Sequence, residues 1–450
     1  MEAASARGSS RRDAMNLMLS NLDKQALVEV HNWTPERLMY FDEATLLQEK
    51  EMYLSTCQGK SSPKDIACVT FRSLISEATK NQNQGPWSVT DKPEESVAPS
   101  GDKHDYYNPA PYHWPPPWWS PWRMYVKRDG LRRPGTEMYG PDSDLYDRSR
   151  LQAMINNVTV WSLASYFTDE EHYATKAAEA VDTWFVNPKT RMNPHLEWSQ
   201  AIGPNRGKGS GVIETKDFYF FLDALRLLQQ RGSFSPEQSK SLQDWFSTLL
   251  DYLKNHWQGL QENKAKNNHG LYYDVQVAAI AAFTNNFTVL SETIHQSTSR
   301  LWIQVASDGS MPHELVRPTC EHYQAFTLSG WQILARMAIK VGVDLWKDPV
   351  RIGEGDKEQS SLLCKVMSTA NPYHTKRALC DGNIEEIDER RWWPLALSTR
   401  SQCPSWLSQN DQPAAWLREK ALPTSKYQMP SMYFEHDGIA PFWNIGNPHE

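Results

Sequence analysis

The sequence predicts an all-α protein, an (α/α) toroid: an incomplete barrel of helical hairpins carrying long aromatic, Pro-rich loops. Three observations lead there. From about residue 147 the chain is a succession of segments with apolar residues at helical spacing. No comparable run alternates as a half-buried strand does. The hairpins follow one another without a fixed period, which separates a toroid from a regular solenoid.

Taken in order, residues 1–30 read as a polar, flexible N-terminal extension. Two helical patterns follow, near 36–56 and 63–81. The stretch from about 83 to 145 is dense in Pro, Gly, Asp and aromatics, and at that length it is a functional covering loop rather than a linker. "LQAMINNVTVWSLASYF" then opens the helical series. "TDEEHYATKAAEAVDTWF" continues it, with Thr168 and Glu171 spaced as a capping box. Ser235, Pro236 and Gln238 start the next helix in the same manner, running through "LQDWFSTLLDYLKNHW". "LYYDVQVAAIAAFT", "SETIHQSTSRLWIQVA" and "YQAFTLSGWQILARMAIKVG" complete the series, the last stopping at Gly342. The toroid is expected over 31–375, with 376–450 a Trp/Pro-rich extension packed on it.

Composition narrows the function. The chain has 450 residues, and its 54 acids against 47 Lys and Arg give a net charge of −7, so no nucleic-acid surface is expected. An anionic ligand must therefore be held by local cations. The 19 Trp, 18 Tyr and 14 Phe crowd into loops such as "YHWPPPWWSPW", where flat rings beside polar edges suit the faces of sugars. Six cysteines show no CxxC and no Cys/His cluster at metal spacing, so no metal or other cofactor is expected. Cys57 with Cys68, or Cys364 with Cys380, are spaced for short-loop disulfides. Sequons begin at Asn32, Asn157 and Asn286, compatible with a secreted glycoprotein. The N-terminus lacks an apolar core of signal-peptide length and no stretch spans a bilayer, so the protein reads as soluble, with no membrane partner. An extracellular monomer is expected, its export leader missing from this sequence or unconventional.

Polar residues gather where loops meet helix starts: 103–117, 191–211, 267–276 and 308–326. In "NNHGLYYDVQ", Asn267 or Asn268 is placed to cap a helix, leaving His269 near its N-terminus. There the helix dipole opposes protonation and favours a neutral general base. The competing reading is a plain polar cap. Tyr323 follows His269 by 323 − 269 = 54 residues, the length of one hairpin returning to the same rim, and Arg317 precedes Tyr323 by six. Arg317 offers a carboxylate two donors, while Tyr323, with an ordinary pKa of about 10, is a proton donor at neutral pH. Carboxamide, imidazole, guanidinium and phenol are the set that β-elimination from a uronic acid needs. The C5 proton becomes removable once the neighbouring carboxylate is neutralised, and the oxygen leaving C4 must be protonated.

"SGDKHDYYNPAPYHWP", "TRMNPHLEWSQAI", "NNHGLYYDVQ" and "DGSMPHELVRPTCEHYQAFTL" resemble, in order, the motif blocks of the alginate lyase domain family, over roughly residues 40–350. Within it the likeness is to lyases that cleave alginate or glucuronan. The resemblance implies an (α/α) toroid with an open groove for a polyuronate chain, and metal-independent β-elimination. It implies Asn268 and Arg317 as neutralisers of the substrate carboxylate. His269 would be the base when the C5 proton lies opposite the leaving group. Tyr323 would be the acid and, for the other epimer, base and acid in one. The chain departs from the family pattern at Pro318 and Cys320, and in the density of Pro and Trp over 106–122.

Tyr112, Trp114, Gln200, Tyr272 and Tyr273 are candidates for subsites, and Arg206 and Lys208, in what reads as a flexible rim loop "GPNRGKGSG", for attracting the polymer. His322 ranks below His269, since on a helix it projects about 100° from Tyr323. Two alternatives stand beside the lyase. One is an inverting glycoside hydrolase, which would draw its two carboxyl groups from Glu197, Glu214, Asp274 and Glu314. The other is a non-catalytic carbohydrate-binding protein.

Overall fold

The computed structural model describes residues 37–58, 66–119, 124–136, 145–347 and 361–370, with positions 395, 399, 402 and 403. Its helices are α1 (Glu43–Met52, continued by a π turn Tyr53–Cys57), α2 (Ile66–Lys80), α3 (Asp147–Thr168), α4 (Glu171–Val181), α5 (Phe218–Gln230), α6 (Pro236–Asn255), α7 (Trp257–Asn263), α8 (Asn268–Phe283), α9 (Phe287–Gln304), α10 (Pro312–Leu315), α11 (Cys320–Ile339) and α12 (Leu362–Ala370). They form the expected toroid of hairpins. Its hub is α8, which packs against α5, α6, α7, α9 and α11. The run "VQVAAIAAF" explains this: it is apolar all round, so the helix that carries it is enclosed on every side.

Local signals explain some boundaries and miss others. Ser235 and Gln238 form the expected reciprocal capping box, with Pro236 in the first turn. Thr168 and Glu171 do not. Thr168 closes α3, donating its hydroxyl to Ala164 O at 2.8 Å, and Asp169 turns the chain at φ 60°. The first helix starts later than its pattern, because Met39, Tyr40 and Phe41 give their N–H groups to the buried Asp223 carboxylate at 2.7–2.8 Å. At α8, Asn267 stands at the N-cap without a side-chain cap bond, and the Glu314 carboxylate accepts the Asn268 N–H at 2.6 Å instead. A cap supplied from another element leaves no local spacing to read.

The described residues also include four short strands. β1 (Tyr107–Pro109) pairs in parallel with β4 (Trp198–Ala201), and β2 (His113–Trp114) pairs antiparallel with β3 (Val126–Lys127). Strands of two to four residues are too short for alternation to register in sequence. Their effect is to stitch the covering stretch to the 191–211 stretch over one end of the helices.

Disulfides join Cys57 to Cys68 and Cys364 to Cys403, so the Cys364–Cys380 pairing is not formed. Cys320 is also disulfide-bonded. The sequon at Asn157 lies within α3, where the Asn is buried and donates to Ala153 O at 2.9 Å. Asn286 is exposed at the start of α9, where its side-chain oxygen accepts the Val289 N–H at 3.2 Å; Asn32 lies outside the described residues. Among the described residues no helix is long and apolar enough to cross a membrane. Most of 376–450 also lies outside them, though Leu395 O and Thr399 Oγ1 accept hydrogen bonds from Gln332 of α11.

Candidate active site

One cavity of about 680 Å³ opens where the stitched loops meet the starts of α8 and α11. The first turn of α8 supplies Asn268 and His269, and the first turn of α11 supplies Tyr323. Tyr272 fixes how these helices meet. Its ring stacks on Phe326 at 4.3 Å and its hydroxyl donates to Phe326 O at 3.1 Å. Gly330 allows the close approach, since a Cβ there would stand 2.8 Å from Leu271 Cδ2. His269 and Tyr323 therefore reach one rim although 54 residues separate them.

The structure places Asn268, His269, Arg317, Tyr323, Tyr112 and Gln200 on the cavity wall. Tyr112 brings its hydroxyl 3.4 Å from that of Tyr323. Gln200 sits at φ 50°, a left-handed conformation that costs free energy for a residue with a Cβ and that clusters at functional sites. The other candidates lie elsewhere. Tyr272 and Tyr273, expected at subsites, are buried in the core, the latter donating to Leu253 O at 3.1 Å. Their helix is enclosed, so the polar rim ends one turn earlier than the sequence suggests. Arg206 faces Glu197 at 2.7 Å, lies over Trp198 and is not among the residues lining the cavity, whereas Lys208 is. Trp114 lies next to the wall, its Nε1 donating to Leu131 O and its ring facing the Arg128 guanidinium at 5.1 Å.

The "GPNRGKGSG" loop is packed, not a loose rim. A Cβ at Gly207 would stand 1.7 Å from Ser199 O, and one at Gly209 would stand 2.9 Å from the backbone nitrogen of Glu262. Those glycines let the loop lie directly against β4 and α7. The contact matters because α7 carries Glu262.

Sequence reasoning missed the acidic partners. Glu262 Oε1 lies 2.6 Å from His269 Nδ1, which fixes that nitrogen as the donor and leaves Nε2 as the remaining acceptor. Glu314 takes Asn268 Nδ2 on both oxygens at 2.9 and 3.1 Å. Asp129 takes Arg317 Nε and Nη2, both at 3.0 Å. Glu314 and Glu262 lie within or near the quoted blocks, but which acid meets which residue depends on how separate elements pack. Arg300 braces the turn between α7 and α8: it pairs with the buried Asp274 and donates to Asn263 O and Ala265 O.

These partners reset the protonation states. Burial pulls the His269 pKa down, but Glu262 outweighs it by charge and hydrogen bond, so the imidazole titrates above its ordinary value. The helix-dipole expectation of a readily neutral ring is thus overridden by an adjacent carboxylate. Burial pushes the Tyr323 phenol up and Tyr112 adds to the rise, against the Arg317 guanidinium stacked 3.6 Å above its ring. Tyr323 is a protonated acid at neutral pH.

Lys127, Arg132, Arg148, Lys208, Lys216 and Arg317 line the wall against the carboxylates of Asp129 and Glu214. A chain of net charge −7 has concentrated cations at this one cavity. Of the acids that would serve a hydrolase, only Glu214 lines it, held by Tyr106 and Asn108 at 2.6 Å. Glu197, Asp274 and Glu314 are engaged with Arg206, Arg300 and Asn268.

The alginate lyase family profile matches residues 88–353. Among solved structures the chain is similar to an alginate lyase from Bacteroides ovatus, at 29% identity and a TM-score of 0.72, covering 88% of this chain and 99% of that one. It is also similar to alginate lyase A1-III from Sphingomonas species A1, at 12% identity and a TM-score of 0.48, covering 83% and 90%. No curated protein matches. The family profile spans more than half of the chain, so the protein belongs to the alginate lyase family and is a polysaccharide lyase, a carbon–oxygen lyase on an α/α toroid.

Proposed function

We propose that the protein cleaves a polyuronate, alginate or a glucuronan-like chain, by β-elimination that requires no metal. The observation that carries this reading is the meeting of His269, Tyr323 and Arg317 on one wall of a cavity rich in cations. A uronate carboxylate placed against Arg317 and Asn268 has its charge neutralised, which acidifies the C5 proton. Nε2 of neutral His269 takes that proton when it lies opposite the leaving group. The C5–H electrons form the C4=C5 double bond, the C4–O bond breaks, and Tyr323 gives its proton to the departing oxygen. The raised Tyr323 pKa suits the acid role. For the other epimer Tyr323 would have to take the C5 proton before giving one back, a base role that its raised pKa disfavours.

Trp114 and Gln200 are proposed to contact neighbouring sugars. The disulfides support an oxidising, extracellular setting, with a glycan on Asn286 compatible with its exposure. The test is a panel of alginate, polymannuronate, polyguluronate and polyglucuronate with product masses. Elimination gives fragments whose masses sum to the substrate. Fragments that together gain one water would instead identify a hydrolase, and oligouronate binding without fragments a binding protein.

A further inference from the structure

Three residues of the proposed reaction each meet a carboxylate, but one pair differs from the others. Glu314 and Glu262 are buried, and they hold Asn268 and His269 from the helical framework. Asp129 is more open, its side chain 27% exposed against 15% for Arg317, and it comes from the turn after β3 in the covering stretch. Both partners line the cavity.

The contact has the form a substrate would take. Arg317 gives Asp129 the side-on fork of Nε and Nη2 that suits a carboxylate. The turn rests beside the arginine, since a Cβ on Gly130 would stand 3.5 Å from Pro318 Cβ, at the position where the sequence leaves its family's pattern. Two carboxylates cannot share this fork, because like charges at hydrogen-bond distance repel.

We propose that Asp129 occupies the substrate's carboxylate seat on Arg317 in the free protein, and that a uronate displaces it on binding. This rests on the reading of Arg317 under Proposed function. Asp129 then acts as a specificity-determining residue. It keeps the half-buried cation paired when the cavity is empty, and it holds the seat against neutral sugars, which bring no charge to exchange for it. A partly exposed ion pair of this kind lowers the apparent affinity for a uronate chain by about two- to tenfold.

The test compares Tyr323→Phe with Tyr323→Phe/Asp129→Asn, binding an alginate tetrasaccharide by calorimetry without turnover. Binding tighter by about two- to tenfold, with a matching fall in KM for Asp129→Asn alone, is expected. Weaker binding, or a raised KM, would show that Asp129 positions Arg317 and would overturn the displacement. A ¹³C titration of the Asp129 carboxyl carbon in Tyr323→Phe is a check independent of that variant's folding. Its signal should move toward that of a solvated carboxylate as tetrasaccharide is added, and a stationary signal during saturable binding contradicts the proposal. Absence of any unsaturated product from the wild type would instead sink the lyase reading, and this inference with it.

Discussion

Replacing Glu262 with Gln isolates the partner that sets the state of His269. The carboxylate is 4% exposed and 2.6 Å from Nδ1, so it is a buried, charge-assisted bond worth about 1.5–3 kcal/mol. Glutamine keeps the shape and loses the charge. If that free energy is used in the transition state, where the ring becomes positive, its loss lowers kcat/KM by about 10- to 100-fold. The direction along the pH axis follows from the sign of the shift. Glu262 raises the pKa of His269, so the acidic limb of the rate profile moves to lower pH in Glu262→Gln, and the high-pH plateau falls. A raised folded value also means that the pair stabilises the fold fully below an unfolded pKa of about 6.5, and that this is lost as the pH rises through the folded value. The melting difference between the two proteins should therefore be widest near pH 6 and narrow toward alkaline pH. Rate profiles on a polyuronate and an NMR titration of His269 read these effects. An unmoved acidic limb with an unmoved His269 titration would refute the assignment of Glu262.

Three further outcomes follow from the same geometry. Tyr323→Phe should lower kcat by about 10²- to 10⁴-fold with little change in melting temperature, because the ring remains under Arg317 and the hydroxyl's contact to Tyr112 is long. Reducing the disulfides should destabilise the fold, by about 3 kcal/mol for the 11-residue separation of Cys57–Cys68 and about 4 kcal/mol for the 39-residue separation of Cys364–Cys403, read by denaturant unfolding with and without reductant. Gly207→Ala should lower stability by about 1–3 kcal/mol, since its Cβ would overlap Ser199 O and force the loop off β4. Activity should fall with it, because the same loop packs against the helix carrying Glu262.

The helices were legible because the apolar spacing of "LQDWFSTLLDYLKNHW" and the continuous apolar run "VQVAAIAAF" are each set within their own segment. His269, Arg317 and Tyr323 were legible because their spacing matches a hairpin and their blocks match a family. Glu262, Glu314 and Asp129 were not, since each becomes a partner only through tertiary packing. Tyr272 and Tyr273 show the opposite error. Their residue type suits a sugar, but they lie inside a helix enclosed on all sides, and the hydroxyls are satisfied by backbone carbonyls. The strands escaped notice because each has only two to four residues, and β1 finds its partner β4 some 90 residues away.

The proposed elimination removes a C5 proton and leaves a C4=C5 double bond behind. Ultraviolet absorbance during depolymerisation of a polyuronate tests it most directly. Absorbance should rise in step with chain cleavage, and both should slow by about 10²- to 10⁴-fold in Tyr323→Phe. Cleavage at full rate without that absorbance would contradict it.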